Sequence, residues 1–425
     1  MKTITVGENH EVQSPFERLE ATLAVIAHGA LALAVLTLVL FYNHVSAAPF
    51  IPLDGKQVIE RLPSRLDPLQ VELRQLRAQL SKEPGNVALA TNLARRYISL
   101  ARSQADPRYL GYAEAALQTW WSQSAPPPEV RVLRATLRQS THQFALALAD
   151  LDGILASDRG NAQAWLTRAT VQQVLGDYPA AKQSCAHLFR QAPDLVTQAC
   201  LQSAASQNGD AAGSYQRLLQ AFNSNPQAEA DIKLWVLTLL AEMAERLGNN
   251  SGAEKHFRAA LQATPEAGKD SYLLAAYADF LLQQGRPDEV VGLLANQTRA
   301  DNLLLRYALA LNQMKSPLAG AQVELLRQRF DAAMRRGDTV HQREQARFAL
   351  TLQHDAASAM TLAQQNWQVQ KEPADVLIML EAAIANRQVA AAQSVLAWLK
   401  QSGLQDQRIN ALKQKMAHQM PQLLI

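Results

Sequence analysis

From Leu69 to the far end of the chain, apolar positions recur three and four residues apart. Leu69, Leu73, Leu76 and Leu80 mark one face of a first helix, which Pro84-Gly85 closes. No stretch alternates apolar and polar residues around a hairpin turn, so the pattern predicts helices and no sheet. The breaks are spaced regularly, near Pro84, Pro126, Gly160, Pro193, Pro226, Pro265, Asp301, Gly337 and Pro373. Most lie about 34 residues apart, room for two helices each, and such a period marks a helical repeat array.

The N-terminal pattern is different. Ala21 to Tyr42 passes twenty-two residues without a charge, and as a helix it spans roughly 33 Å, the thickness of a bilayer core. Ser14-Pro15-Phe16-Glu17 ahead of it makes a helix start. The reading is therefore a tail (1–20), a transmembrane helix (21–42), a proline-rich tether (43–68) and a helical repeat domain (69–425). Ser46-Ala47-Ala48 offers a rival, a cleaved signal. The length of the apolar run, an acidic n-region and Pro49 favour an uncleaved anchor. Basic residues are balanced on the two sides, so orientation rests on the short tail staying in the cytoplasm. His28 lies within the span and is read as a tolerated neutral imidazole.

Composition sharpens the class. Apolar residues make up 48% of the chain but aromatics only 6%, which favours closely stacked helices over a β-sandwich. A formal charge of +3 is too small to make nucleic acid the main partner. No Walker loop, dinucleotide fingerprint, HExxH or nucleophile elbow occurs. His142, His187, His256, His341 and His354 each stand alone on helical stretches, without metal-ligand spacing. The expectation is no enzyme, no cofactor, no metal and no small-molecule substrate.

One unit shows the repeat most clearly. Counting from Ala162, Trp165 is fourth, Ala169 eighth, Gly176 fifteenth, Asp177 sixteenth, Tyr178 seventeenth, Ala181 twentieth and Pro193 thirty-second. Small residues let two helices approach, Gly176 turns the corner, Asp177 caps the next helix and Pro193 stops it. Arg168 and Gln172 stand where large apolar residues are usual. Ala135, Phe144 and Ala147 keep register one unit earlier. Leu240, Ala241, Gly248, Asn249, Ala253, Phe257, Ala260 and Pro265 keep it in a unit from Leu234, and Tyr277, Ala278, Gly285, Val290 and Leu294 in one from Ser271. These spans (128–161, 162–195, 234–267 and 271–304) resemble tetratricopeptide repeats. The segments 86–121, 196–230 and everything after 301 keep only the helix pattern. Trp120-Trp121 is read as packing between helices in preference to a surface anchor.

The resemblance implies an α-hairpin solenoid whose first helices line a concave, protein-binding groove. Carried over by register, that groove holds Gln163, Leu166, Thr170 and Gln173, then Trp235, Thr238, Glu242 and Glu245, then Tyr272 and Asp279. The Lys and Asn positions of the carboxylate-gripping subfamily hold Leu166, Thr170, Thr238 and Glu242 here, so that ligand is not expected. Glu242, Glu245 and Asp279 suit a basic peptide, set against an ordinary solvated face. The resemblance also brings Cys185 and Cys200 onto stacked helices, as a disulfide or as two buried thiols. The function expected is a single-pass scaffold of the inner membrane, its repeat domain periplasmic, holding a protein or peptide partner. A signal-cleaved soluble protein and a self-associating structural protein are the alternatives.

Overall fold

The computed structural model describes residues 68–263 and 270–419, all within one unit, Asp67–Ile425. The tail, the apolar segment 21–42 with His28, and the tether up to residue 67 lie outside the described residues. Among the described residues, no helix is long and apolar enough to cross a membrane.

Twenty-one α-helices and no strand lie among the described residues. A leading helix α1 (Pro68–Lys82) is followed by hairpins: α2 (Val87–Gln104) with α3 (Arg108–Ala116) and the short α4 (Gln118–Trp121), α5 (Pro128–Ser140) with α6 (Phe144–Ser157), α7 (Ala162–Val174) with α8 (Tyr178–Ala186), α9 (Asp194–Ser206) with α10 (Ala211–Ser224), and α11 (Ala230–Arg246) with α12 (Asn250–Gln262). The array continues with α13 (Ser271–Gln283) and α14 (Pro287–Leu294), α15 (Asp301–Gln313) and α16 (Ala319–Arg335), α17 (Gln342–Thr351) and α18 (Ala356–Val369), and α19 (Pro373–Ala385) and α20 (Val389–Ser402). The last of the described helices is α21 (Gln407–Gln419), which continues the row of first helices.

Each first helix packs on the next first helix from α2 to α21, whereas second helices do not pack on one another to a comparable extent. The row of first helices is therefore the inner row of a curved stack, as hairpins that cannot bury their own apolar faces require. Ala169 against α8, and Ala241 against α12, are fully buried, which lets the paired helices approach closely. Tyr178 and Phe257 are the largest fully buried side chains; a ring buried like that of Phe257 contributes about 1.5–3 kcal/mol.

A single device turns every hairpin. Between each first and second helix one residue takes the left-handed conformation: Ala105, His142, Gly176, Gly209, Gly248, Gly285, Lys315, His354 and Arg387. At Gly176 the following amide, Asp177 N, bonds back to the Gln172 carbonyl at 2.8 Å, and at Gly248 Asn249 N does the same to Ala244 at 2.9 Å. These backward bonds close the carbonyls left open at a helix end. The Asp177 and Asn249 side chains then cap α8 and α12.

Two boundaries differ from the sequence expectation. α8 ends at Ala186, and Pro193 stands just ahead of α9 instead of stopping α8; the chain leaves the helix through the tighter bonds His187 N to Ser184 O and Leu188 N to Cys185 O. α11 begins at Ala230, ahead of Leu234. The polar departures in α7 are absorbed by a network: the Gln172 amide lies 2.7 Å from the Ser184 hydroxyl, to which Arg168 Nη1 donates at 2.9 Å.

The array also meets itself. α13 packs against α2, and the corners that follow α7, α9 and α11 touch the chain ahead of α19 and α21. The Lys371 amide donates to the Val174 carbonyl at 2.7 Å. Asn208 Nδ2 donates to the Ser402 carbonyl at 2.7 Å, the Ala211 amide to Gln405 Oε1 at 3.0 Å, and Gln407 Nε2 to the Leu247 carbonyl at 2.9 Å. A methyl group placed on Gly403 would lie 3.4 Å from Gly209 Cα. Late units thus lie along the edge of early ones in a seam. Its apolar part is the Trp398 ring, 5.9 Å from Tyr178, and Val369 against the cluster of Phe144, Ala147 and Val171.

Candidate functional site

The groove residues assigned by register fall into two sets. In α7, Gln163 and Thr170 are exposed and Leu166 is half-buried. Gln173 is tied down, its Oε1 accepting from Ser203 Oγ at 2.8 Å across to α9. In α11, Trp235 is half-buried against the core. Thr238 does not reach the groove surface: it is 6% exposed, and its hydroxyl donates to the Leu234 carbonyl of its own helix. Tyr272 on α13 is 57% exposed, the largest opening of any of these aromatic or apolar groups.

The three acids are already engaged. Glu242 accepts from the Tyr272 hydroxyl at 2.6 Å. Asp279 accepts from Arg306 and from Arg347, each at 2.6 Å. Glu245, 9% exposed, lies 2.8 Å from Arg408 at the start of α21. The basic partners that the sequence suggests for this face are therefore supplied within the chain, at Asp279 by Arg306 of the neighbouring α15 and Arg347 of α17, and at Glu245 by Arg408 of α21. Glu242, on α11, also feels Glu372 and Arg408, so groups from early and late first helices share one space.

Burial dominates the electrostatics there. It pushes the Glu245 carboxyl up to about 7, against the opposing charge of Arg408. Glu242 is raised for the same reason, with the Tyr272 hydrogen bond opposing. The Tyr272 phenol is held well above its ordinary value by the Glu242 charge beside it. Burial would also raise Asp279, but Arg306 and Arg347 together outweigh it, and its carboxyl lies below the usual range. Farther along, Asp375 at the start of α19 is raised to about 6 by burial, with Arg343 opposing.

A cleft of 420 Å³ opens along the seam, between the corners after α2 and α5 and the starts of α15, α17 and α19. Leu110, His142, Arg299, His341, Arg343 and Glu372 are among its walls. Arg343 spends its guanidinium on Glu372 at 2.7 Å and Asp375 at 3.3 Å.

Cys185 and Cys200 are joined as a disulfide that ties α8 to α9. Of the histidines, His256 shares a hydrogen bond with the Tyr215 hydroxyl at 3.1 Å, His187 stacks on Trp165 and His142 on Phe144. Among the described residues, no group of His, Cys, Asp and Glu is placed to hold a metal ion. Trp120 is buried in the first core cluster, and Trp121 lies half-buried under Arg138. What sequence reasoning missed is the set Arg347, Arg408 and Asp406. Their signal is purely three-dimensional: Arg408 and Asp406 come in at the seam, and Arg347 reaches Asp279 across the inner row from α17 to α13.

No protein-family model and no curated protein matches the chain. Solved structures of repeat proteins do. A tetratricopeptide repeat protein from Parabacteroides merdae is 18% identical, covering 61% of this chain and 91% of its own, with a TM-score of 0.39. Human IFIT1, solved as a dimer with m7Gppp-AAAA, is 15% identical over 82% and 87% of the two chains, at 0.39. Yeast Tom70 is 12% identical over 84% and 96%, at 0.31. Scores this low carry no residue equivalences, and a shared fold does not transfer function. On its own geometry, the described part of the chain is an all-α helical repeat solenoid.

Proposed function

We propose that this chain is a membrane-anchored scaffold that holds a protein partner on the inner face of its first helices, with the repeat array on the oxidising side of the membrane. The observation that carries the binding role is the continuous row from α2 to α21, a rigid face on which Gln163, Thr170 and Tyr272 stand open. The uncharged run from Ala21 to Tyr42 supports the anchor. The Cys185–Cys200 pairing supports a periplasmic or extracellular array, because disulfides persist in oxidising compartments.

Site-specific photo-cross-linking in membranes tests the binding role. A photoreactive residue at Thr170 or Tyr272 is expected to capture a discrete protein, and one at Lys255, exposed on the outer helix α12, is not. Equal or absent adducts at all three positions would overturn it. N-terminal sequencing of the membrane-extracted chain tests the anchor: a start near Ala48 or Pro49 removes it.

A further inference from the structure

Glu245 is poorly served by the group beside it. Arg408 Nη1 stands 2.8 Å away, yet Glu245 Oε1 is fully buried and no N–H is aligned to donate to it. The reason lies on the other side of the guanidinium. Arg408 Nε and Nη2 donate to Asp406 at 3.0 and 2.6 Å, and that pair fixes the plane of the fork. Asp279 shows what a satisfied carboxylate looks like on this face, with aligned donors from two arginines.

Charge is short as well. Glu245 and Asp406 both contact Arg408, and the Glu242 charge adds to theirs from farther off. Two carboxylates share this one guanidinium. A buried carboxylate oxygen without a donor costs about 1–3 kcal/mol, and a planar fork able to bond in line would recover it. The contacts that bring Arg408 here are also separable. Gln407 and Arg408 touch the early units through polar atoms, while α21 is held in the stack by Ile409 and Met416 in the core of the late units.

Resting on the scaffold reading above, we propose that Glu245, with Glu242, is a guanidinium-binding subsite of the inner face. It takes an arginine of the protein partner in exchange for Arg408, which then rests on Asp406 alone. The subsite selects a partner segment carrying an arginine, and the seam at α21 loosens as that segment docks.

The probe is a fluorescent synthetic peptide with the sequence of residues 403–419, made with arginine or with citrulline, its uncharged isostere, at the place of Arg408. Against the full chain carrying Arg408→Gln, the arginine peptide is expected to bind at least ten-fold more tightly than the citrulline peptide. Adding Glu245→Gln is expected to erase that preference. Equal binding of the two peptides overturns the proposal, as does a preference that survives Glu245→Gln. The unmodified chain gives a second readout that does not depend on a variant folding. Excess arginine peptide is expected to speed amide exchange in residues 403–408 at least three-fold and leave α19 unchanged, and no change also overturns it. Failure here with cross-links intact at Thr170 removes the subsite alone; loss of the cross-links removes the scaffold.

Discussion

Asn208 donates its side-chain amide to the Ser402 carbonyl at 2.7 Å, across 194 positions of the chain. Its own Oδ1 accepts from Lys182 at 2.8 Å, so the residue is clamped from both sides. Asn208→Ala is expected to weaken the seam by about 1 kcal/mol. Amide exchange of residues 403–408 should rise about five-fold for that loss, with α13 unchanged.

The corner glycines separate two effects that usually coincide. Gly176 has a φ of 76°, and a Cβ there would stand 2.9 Å from the Trp398 ring. Gly285 has a φ of 69°, and a Cβ there meets nothing. Gly285→Ala should therefore cost about 1 kcal/mol, for the backbone alone. Gly176→Ala should cost about 2–4 kcal/mol, since Trp398 must shift as well. Urea melts of the two variants check the ordering.

Reduction of the Cys185–Cys200 disulfide is expected to lower stability by about 3 kcal/mol, the value for a closed loop of this size. Their sequence separation of 15 residues sets that size. A thermal melt with and without reductant measures it, and the Cys185→Ala/Cys200→Ala chain should lose its sensitivity to reductant.

Asp150 on α6 is the hub of three arginines of α5. It accepts from Arg134 at 2.6 and 2.9 Å and from Arg138 at 2.6 Å, with Arg131 at 3.5 Å. Arg134 is only 3% exposed. Asp150→Ala strands that buried charge and should cost about 3–5 kcal/mol. Asp152→Ala, which breaks only an exposed pair with Arg168, should change stability by less than about 1 kcal/mol. Denaturant midpoints separate the two.

How much of this was legible in the sequence follows from the corners. Gly176, Gly248 and Gly285 supplied the register because glycine is the residue that takes a left-handed corner without strain. Ala105, Lys315, His354 and Arg387 take the same conformation without advertising it, and the units around them keep only the helix pattern. The unit of His142 keeps register through Ala135, Phe144 and Ala147, whereas 196–230 keeps only the pattern although Gly209 turns its corner. Register places Thr238 on the same face as Leu166, but its side chain is covered and its hydroxyl turns back to its own helix, which no spacing foretells. The acids were read as candidates for a basic partner. Arg408 sits on Glu245 through the seam and Arg347 on Asp279 across two units of the inner row, and no spacing along the chain encodes either.

The acid response has a definite sign at Glu245. Burial raises its carboxyl from near 4.5 to about 7 in the folded chain. A raised carboxyl contributes stability that is full below its unfolded value and is lost as pH climbs through the folded one. Glu245→Gln, a neutral stand-in, should therefore be more stable than the parent by roughly 1–3 kcal/mol at pH 8. The advantage should shrink below pH 5. Paired melts across that range check it.

The bond from Lys371 to Val174 has a consequence for biosynthesis. Hairpins that lean only on their neighbours can fold as they emerge, one after another. Here the edge offered by α7 and its corner stays bare until the ribosome has added everything up to α19, a delay of roughly ten to forty seconds at ordinary elongation rates. For that interval Tyr178 lacks its Trp398 neighbour and the nascent chain carries an unfinished rim, so a holding chaperone has most to protect when translation stalls between these two helices.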